Sequence, residues 1–397
     1  MKRLCMFVLA VVLVPGVTNS QTTTSPAEPS GQLAIGIDHL RNLEYKEAIQ
    51  QLQSWLETHP EDLRAHNYLG ISILYQEMFH RGVLESRVYG HGGEVFKASK
   101  VAVTPEFQQQ LLAVLTKTQS ITDLRVKSDP KDEEALYWGG VTHGTRATYH
   151  FTLRKEYMPA LHEASDALKL HRHLLELDPN YVDAYLIVGM NNYIVGSLPW
   201  YIKVMASLTG RHGDRAEGIK QVKRVTEEGN YGREDARVML AVLYQREKMY
   251  QQALEVYEEM AHAYPRNYLL PCEVAALHGS LNEWSQAAAV YDSVLQRHSS
   301  GQAGYRVIPL ARILYASGEA HQRSDQPEEA LARFSEAGAL TGDAPYTYLA
   351  ELRAGDILVR LRRNQEARAH YARVAEATPD SEEGKAARRA LKQISID

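Results

Sequence analysis

The chain has little cysteine for its length, with only Cys5 and Cys272 among 397 residues. Cys5 lies in an N-terminal apolar run that we expect to be removed, which leaves a single thiol. One thiol cannot form an internal disulfide, so packing alone must hold the fold. The sequence also lacks a phosphate-binding loop, a dinucleotide fingerprint and a calcium loop. These absences exclude disulfide-stapled folds and give no support to nucleotide-dependent enzymes.

An excess of basic charge is also absent. The chain has 44 Lys and Arg against 49 Asp and Glu, a formal net charge of −5. This balance argues against nucleic acid or anionic lipid as the main partner. Hydrophobic residues make up 44% of the chain, which supplies enough core for an ordinary folded protein.

The first 20 residues have the order of regions of a secretory signal peptide. Lys2 and Arg3 precede an apolar run over residues 4–14, and a short polar stretch ends at Ser20. Residues 21–30 are rich in Thr, Ser and Pro and are expected to form a flexible leader. We therefore expect an exported protein, periplasmic or extracellular, with no membrane span after removal of the signal.

A 34-residue unit occurs twice in succession between Arg233 and His298. The matching residues are Leu240, Ala241, Tyr244, Ala253, Tyr257 and Pro265 in the first copy and Val274, Ala275, His278, Ala287 and Tyr291 in the second. This spacing resembles the tetratricopeptide repeat, a pair of antiparallel helices. The resemblance implies an all-α fold, a tetratricopeptide-type helical solenoid of about eight units over residues 31–397.

Two stretches interrupt the repeat pattern. Residues 79–104 are rich in Gly and His and have no helical period, and residues 193–210 form an apolar insertion. A helix is predicted from Leu63 to Tyr75 before the first insertion, and residues 381–394 are predicted to form a capping helix at the C-terminal end of the solenoid.

Several segments near the second insertion resemble a group of secreted bacterial tetratricopeptide proteins of unassigned activity. They are residues 180–186, 193–201 and 213–215, with Gly218 and Ile219. A fainter similarity of 213–215 and Gly218 links the chain to the tetratricopeptide repeat protein 39 family. Neither resemblance carries a catalytic residue, so what they imply is protein–protein interaction on a scaffold.

The sequence contains one weak metal motif and one polar stripe. His162-Glu163 with Asp166 approaches a zinc-binding helix, but a solvated helix face is the favoured interpretation. His143, Arg146 and His150 share a helix face, and no carboxylate or nucleophile accompanies them in sequence. We interpret this stripe as the polar lining of a groove. No enzyme activity, cofactor or metal is predicted.

The positions that bind peptide carboxylates in related repeats are mostly apolar here. They hold Asn67, Ile71, Tyr137, Val141, Leu186, Met190, Val238 and Val242. A carboxylate clamp is therefore not expected, and the groove of the N-terminal half is predicted to be apolar and aromatic. Towards the C-terminus it is predicted to become charged through Arg246, Glu319, Arg323 and Asp356.

Two functional hypotheses remain open. The first is a non-enzymatic scaffold of the bacterial cell envelope that binds a peptide or a partner protein on its concave face. The alternative is a periplasmic binding module for a small apolar ligand or lipid, with residues 193–210 as its wall or lid. Residues 193–210 either pack as additional core or expose Trp200 and Tyr201 as an anchor for a partner. The candidate binding residues are Tyr137, His143, Arg146, His150, Met190, Tyr193, Trp200, Tyr201, Arg246, Glu319 and Arg323.

The cysteine content gives a first testable prediction. Because Cys272 would be the only thiol of the processed chain, no internal disulfide constrains its unfolded state. We expect the melting temperature, measured by circular dichroism, to be the same with and without reductant. A lower melting temperature in reductant would reveal an intermolecular disulfide through Cys272.

Overall fold

The computed structural model describes residues 31–84, 103–198, 213–340 and 344–394. Within these ranges the chain forms 17 α-helices and no strand. The helices are α1 (Gly31–Arg41), α2 (Tyr45–Thr58), α3 (Leu63–His80), α4 (Pro105–Ser128), α5 (Glu133–Tyr149), α6 (Tyr157–Leu177), α7 (Tyr185–Gly196), α8 (Arg215–Glu228), α9 (Arg233–Arg246), α10 (Tyr250–Ala263), α11 (Leu269–Ser280), α12 (Trp284–Ser299), α13 (Leu310–Arg323), α14 (Pro327–Gly338), α15 (Ala344–Arg360), α16 (Asn364–Ala377) and α17 (Glu382–Gln393). The all-α prediction is confirmed.

The chain divides into two compact units, residues 1–256 and 257–397, with the division inside α10. The first unit contains α1 to α9, and the second contains α11 to α17. Within each unit successive helices pack as pairs and each pair packs on the next, which is the arrangement of a tetratricopeptide-type solenoid.

The same turn joins the two helices of six repeats. Six of the described residues other than glycine adopt a left-handed backbone with φ between 55° and 63°: Leu43, Lys155, Lys248, Asn282, Asp325 and Arg362. The next N–H donates to a carbonyl near the end of the preceding helix, as Glu44 does to His39 at 2.9 Å and Arg363 to Leu358 at 2.8 Å. This hydrogen bond satisfies an unpaired carbonyl at the C-terminal end of the first helix, and the left-handed residue reverses the direction of the chain.

Three helix starts follow directly from their capping residues. The side chain of Thr104 accepts the N–H of Phe107 at 3.2 Å, and Asp214 accepts the N–H of Glu217 at 2.8 Å. Ser381 begins the terminal helix α17 in the same way. Local hydrogen bonding of short polar side chains decides where these helices begin.

Helix α3 is longer than the sequence pattern predicts, because it continues to His80 instead of ending at Tyr75. Helix α4 has 24 residues. Helix α5 passes into a π-helical turn, His150–Arg154, before α6 begins. Residues 85–102 lie inside the first predicted insertion, and residues 199–212 overlap the second; neither segment is among the described residues. No described helix is long and apolar enough to cross a membrane.

Helices α7 and α8 approach closely at glycine residues. A Cβ atom on Gly218 would lie 2.5 Å from the backbone N of Tyr193 and 2.6 Å from the carbonyl oxygen of Gly189. A Cβ on Gly213 would lie 2.8 Å from the carbonyl oxygen of Asn192. The glycines that carry the resemblance to the secreted bacterial proteins thus let two backbones touch.

This close approach yields a stability prediction. Gly218→Ala forces apart two backbones that cannot yield, so we expect a loss of about 2 kcal/mol in the free energy of unfolding. Gly70→Ala is the matched control, because its new Cβ would meet only the flexible end of Leu115, at 3.0 Å. Denaturant titration measures both. Equal stability of the two variants would contradict the proposed backbone contact.

Candidate binding surfaces

Carboxylates from neighbouring elements join the predicted polar stripe of α5. His143 Nδ1 lies 2.6 Å from Glu163 Oε2, and Arg146 lies 3.9 Å from the other oxygen of Glu163. His150 Nδ1 lies 2.9 Å from Glu156 Oε2. The expectation that no carboxylate accompanies the stripe is wrong, because Glu163 comes from the facing helix α6 and Glu156 from the turn.

The pairing of His150 has counterparts in other repeats, which points to a structural role. His39 Nδ1 lies 2.6 Å from Glu44, and His278 Nδ1 lies 2.7 Å from Glu283. In each case the histidine lies at the C-terminal end of the first helix of a repeat, and the glutamate lies at the start of the second helix. His150 does the same across the π-helical turn, which adds one residue between the histidine and its partner.

Tyr137 lies in a buried aromatic cluster of the first unit. Its ring stacks on His171 at a centroid distance of 5.3 Å and also contacts Trp138 at 4.9 Å and Tyr231 at 5.7 Å. Only 4% of Tyr137 is exposed, and burial raises the pKa of its hydroxyl well above the usual value. Tyr137 therefore does not line an open groove.

The remaining apolar groove positions of the first unit are also closed. Asn67, Ile71, Val141, Leu186, Met190 and Val242 are buried, and Val238 is half-buried. Asn67 donates to the carbonyl oxygen of Trp138 at 3.2 Å and accepts from Thr142 at 3.1 Å, so α3 and α5 meet where a groove was expected. The prediction of an open apolar groove over these side chains is wrong.

Tyr193 and Arg246 meet in the first unit. The Arg246 guanidinium lies over the Tyr193 ring at 5.7 Å, and the Tyr193 hydroxyl donates to Glu247 at 2.9 Å. Tyr193 is 2% exposed, so it serves as packing beneath Arg246. Trp200 and Tyr201 fall outside the described residues, and their binding role stays a prediction.

Buried acids of the first unit were not recognised in the sequence. Glu234 is fully buried and pairs with Arg237 at 2.9 Å, while Asp235 is 4% exposed. Burial raises the pKa of Asp235 well above the usual value, and the nearby Arg41 guanidinium opposes that rise. In sequence both acids look like solvated residues at a helix start. Their burial follows from tertiary packing and has no local signal.

Asp183 is a third buried acid with a defined structural role. It accepts backbone N–H groups of Asn230, Tyr231 and Gly232 at 2.8–3.1 Å. Burial raises the pKa of the carboxyl group, although these three donors stabilise its ionised form. The contact attaches the turn before α7 to the start of α9.

The second unit presents polar side chains at the corresponding positions. We use the name open face for Tyr315, Glu319, Gln322 and Arg323 on α13 together with Arg353, Asp356, Val359 and Arg360 on α15. These side chains are exposed or half-buried, and α13 contacts α15 directly. Glu319 and Arg323, which the sequence predicted to line a groove, both belong to this face.

Tyr315 joins the two helices of the open face. Its hydroxyl donates to Glu319 at 3.2 Å and lies 3.4 Å from the Nε atom of Arg353. The hydrogen bond from Arg353 raises the pKa of that guanidinium further. On α13 the Arg323 guanidinium lies over the Trp284 ring at 4.6 Å. The face therefore has two positioned arginine side chains and one central aromatic ring.

The structure offers no support for the weak metal motif. Glu163 is engaged by His143, and Asp166 is paired with Lys169 at 2.7 Å. Across the described part of the chain, no group of three or more His, Cys, Asp or Glu side chains could hold a metal ion. Cys272 is half-buried on α11.

The fold consists of stacked helix pairs, and the first helices of two repeats, α13 and α15, form an exposed face. These features define a helical-repeat protein. Tetratricopeptide repeat family models match residues 235–267 and 315–382. These stretches are tetratricopeptide repeats, as the residue spacing predicted. No curated protein matches the chain.

Several solved structures resemble this one at low sequence identity. Yeast Tom70 is 12% identical over 91% of this chain and 88% of that chain, with a TM-score of 0.35. A tetratricopeptide repeat protein from Parabacteroides merdae is 14% identical over 80% and 97%, with a TM-score of 0.32. The human IFIT1 dimer with m7Gppp-AAAA is 12% identical over 92% and 82%, with a TM-score of 0.39. Similarity this low says nothing about what the chain binds.

His171 gives a prediction about pH. Burial lowers its pKa from 6.5 to about 4, so the unfolded chain binds this proton more tightly than the folded chain. The stability associated with neutral His171 is complete above pH 6.5 and is lost as the pH falls towards about 4. This loss is about 3 kcal/mol, at roughly 1.4 kcal/mol for each unit of pKa.

The measurement compares variants over that pH range by denaturant unfolding. His171→Gln should lose about 3 kcal/mol less than the wild type on acidification, because the titrating group is gone. His173→Gln is the matched control, since His173 lies two residues away and is largely exposed. If His171→Gln keeps the full pH dependence, His171 is not buried in its neutral form.

Proposed function

We propose that the protein is a non-enzymatic interaction scaffold that binds a peptide or a partner protein on the open face of its second unit. The contrast between equivalent positions carries this proposal. Val242 on α9 is buried, whereas Glu319 on α13 and Asp356 on α15, at the same repeat position, are available to a partner. Charged side chains that a partner can reach are the groups that can provide specificity.

The location proposed for this activity is the bacterial cell envelope. The order of charge, apolar run and small polar residues over residues 1–20 supports export to the periplasm or beyond. The alternative, a binding module for a small apolar ligand or lipid, rested on apolar positions such as Ile71, Leu186 and Met190. Because these side chains are buried, the scaffold is the better supported function.

Site-specific photo-crosslinking in the producing cell tests the proposed face. Benzoylphenylalanine is introduced at Gln322 or at Val359, both on the open face, and at Ala332, an exposed residue of α14, as the matched control. We expect both open-face positions to give an adduct with the same protein in the envelope fraction. The reason is that a bound partner covers both positions and leaves α14 free.

The identity of the adduct, determined by mass spectrometry, decides the result. An adduct from Ala332 as strong as those from Gln322 and Val359 would contradict a specific face. Absence of adducts from both open-face positions, with normal protein levels, would contradict the proposed function.

A further inference from the structure

Two arginine side chains on the open face have no carboxylate partner. Arg323 and Arg360 each lie five residues after a buried glycine of the repeat, Gly318 and Gly355. Both side chains are exposed, and neither forms an ion pair within the described residues. Stacking on Trp284 holds the Arg323 guanidinium in place and leaves its edge N–H donors available.

The acids on the same face already accept hydrogen bonds from the protein. Glu319 accepts from Tyr315, and Asp356 accepts from the Tyr371 hydroxyl at 2.7 Å. Arg353 also approaches Asp356 at 4.0 Å. The cationic groups of the face with no acid beside them are therefore the guanidinium groups of Arg323 and Arg360.

We propose that the partner bound on the open face is an acidic peptide segment, and that Arg323 and Arg360 each bind one of its carboxylates. This inference rests on the proposed function and specifies its partner. Guanidinium and carboxylate match in geometry as well as charge, because two N–H groups can donate to two oxygens.

The spacing of the two helices indicates which acidic segments fit. First helices in direct contact lie roughly 10 Å apart, so equivalent side chains on α13 and α15 have a similar separation. In a polyproline II segment, residues three apart share a face and are separated by roughly 9 Å. Acidic residues at every third position therefore match Arg323 and Arg360.

Nucleic acid fits this face less well. Glu319 and Asp356, four residues before Arg323 and Arg360, would repel the closely spaced phosphates of a nucleic-acid strand. An acidic peptide can instead place its few carboxylates at the arginine residues.

Fluorescence anisotropy with the full chain tests the proposal at low salt. The probe is a short fluorescein-labelled, proline-rich peptide with glutamate at every third position, and its control peptide has glutamine in place of glutamate. We expect the glutamate peptide to bind more tightly and its affinity to fall with added salt. Arg323→Gln and Arg360→Gln should each weaken binding about fivefold, which is the size of an exposed ion pair.

Arg389→Gln on α17 is the matched control, because Arg389 is exposed and its removal changes the net charge equally. It should bind the glutamate peptide like the wild type. All three positions are exposed, and unchanged melting temperatures verify that the variants fold. A charge reversal, Arg323→Glu with Arg360→Glu, should abolish binding of the glutamate peptide.

Three results would overturn the proposal: equal binding of the glutamine peptide, equal weakening by Arg389→Gln, or tighter binding of an oligonucleotide of the same charge. Its failure can be told apart from failure of the proposed function. If crosslinked adducts form at Gln322 and Val359 and any of these three results is also found, the scaffold function is retained and the acidic peptide is rejected as its partner. Absence of those adducts would reject the scaffold itself.

Discussion

Close contact between paired helices at a residue without a Cβ atom is the constraint on which the repeats depend. A Cβ on Gly318 would lie 2.7 Å from the Phe334 ring, and a Cβ on Gly355 would lie 2.7 Å from the Tyr371 ring. Such distances leave no room for even a methyl group, so glycine fixes the separation of the two helices. The aromatic ring of the second helix then fills the space, and the next pair packs on the result.

This contact also explains why the fold was readable from sequence. Glycine or alanine at one position and an alanine or aromatic residue one helix later are local features with fixed spacing. N-caps such as Thr104 and Asp214 are equally local, since each requires a side chain to reach only three residues along the chain. The helix pairs and several helix starts could therefore be predicted without knowledge of tertiary contacts.

Burial of the first-unit groove positions could not be predicted in this way. Asn67 contacts Trp138, 71 residues away, and Asp183 contacts Gly232, 49 residues away. The repeat pattern assigns a residue to a helix face but does not tell whether distant helices cover that face. For this reason Tyr137 and Met190 were predicted to bind a ligand, although the structure places both in the packed interior.

The same limit applies to the polar residues that the sequence predicted to line a binding groove. His143 and His150 share one stripe in sequence, yet the pairing of His150 repeats a turn contact that also joins His39 to Glu44. Spacing alone cannot separate a histidine that closes a turn from one that faces a partner. Glu319 and Arg323 lie on the open face, but Trp284, which positions Arg323, comes from the preceding repeat and was not anticipated.

One repeat position holds an arginine in both units, with different surroundings. Arg41, like Arg323 and Arg360, lies five residues after a repeat glycine, but it is buried, and its positive charge opposes the rise that burial causes in the pKa of Asp235. The first unit thus places a buried carboxylate within electrostatic reach of an arginine at this position, and desolvation of both groups makes removal of either charge costly. On α13 and α15 the same residue type remains in solvent, and no described carboxylate forms an ion pair with it. An acid provided by a partner would supply in the second unit the opposite charge that the first unit supplies internally.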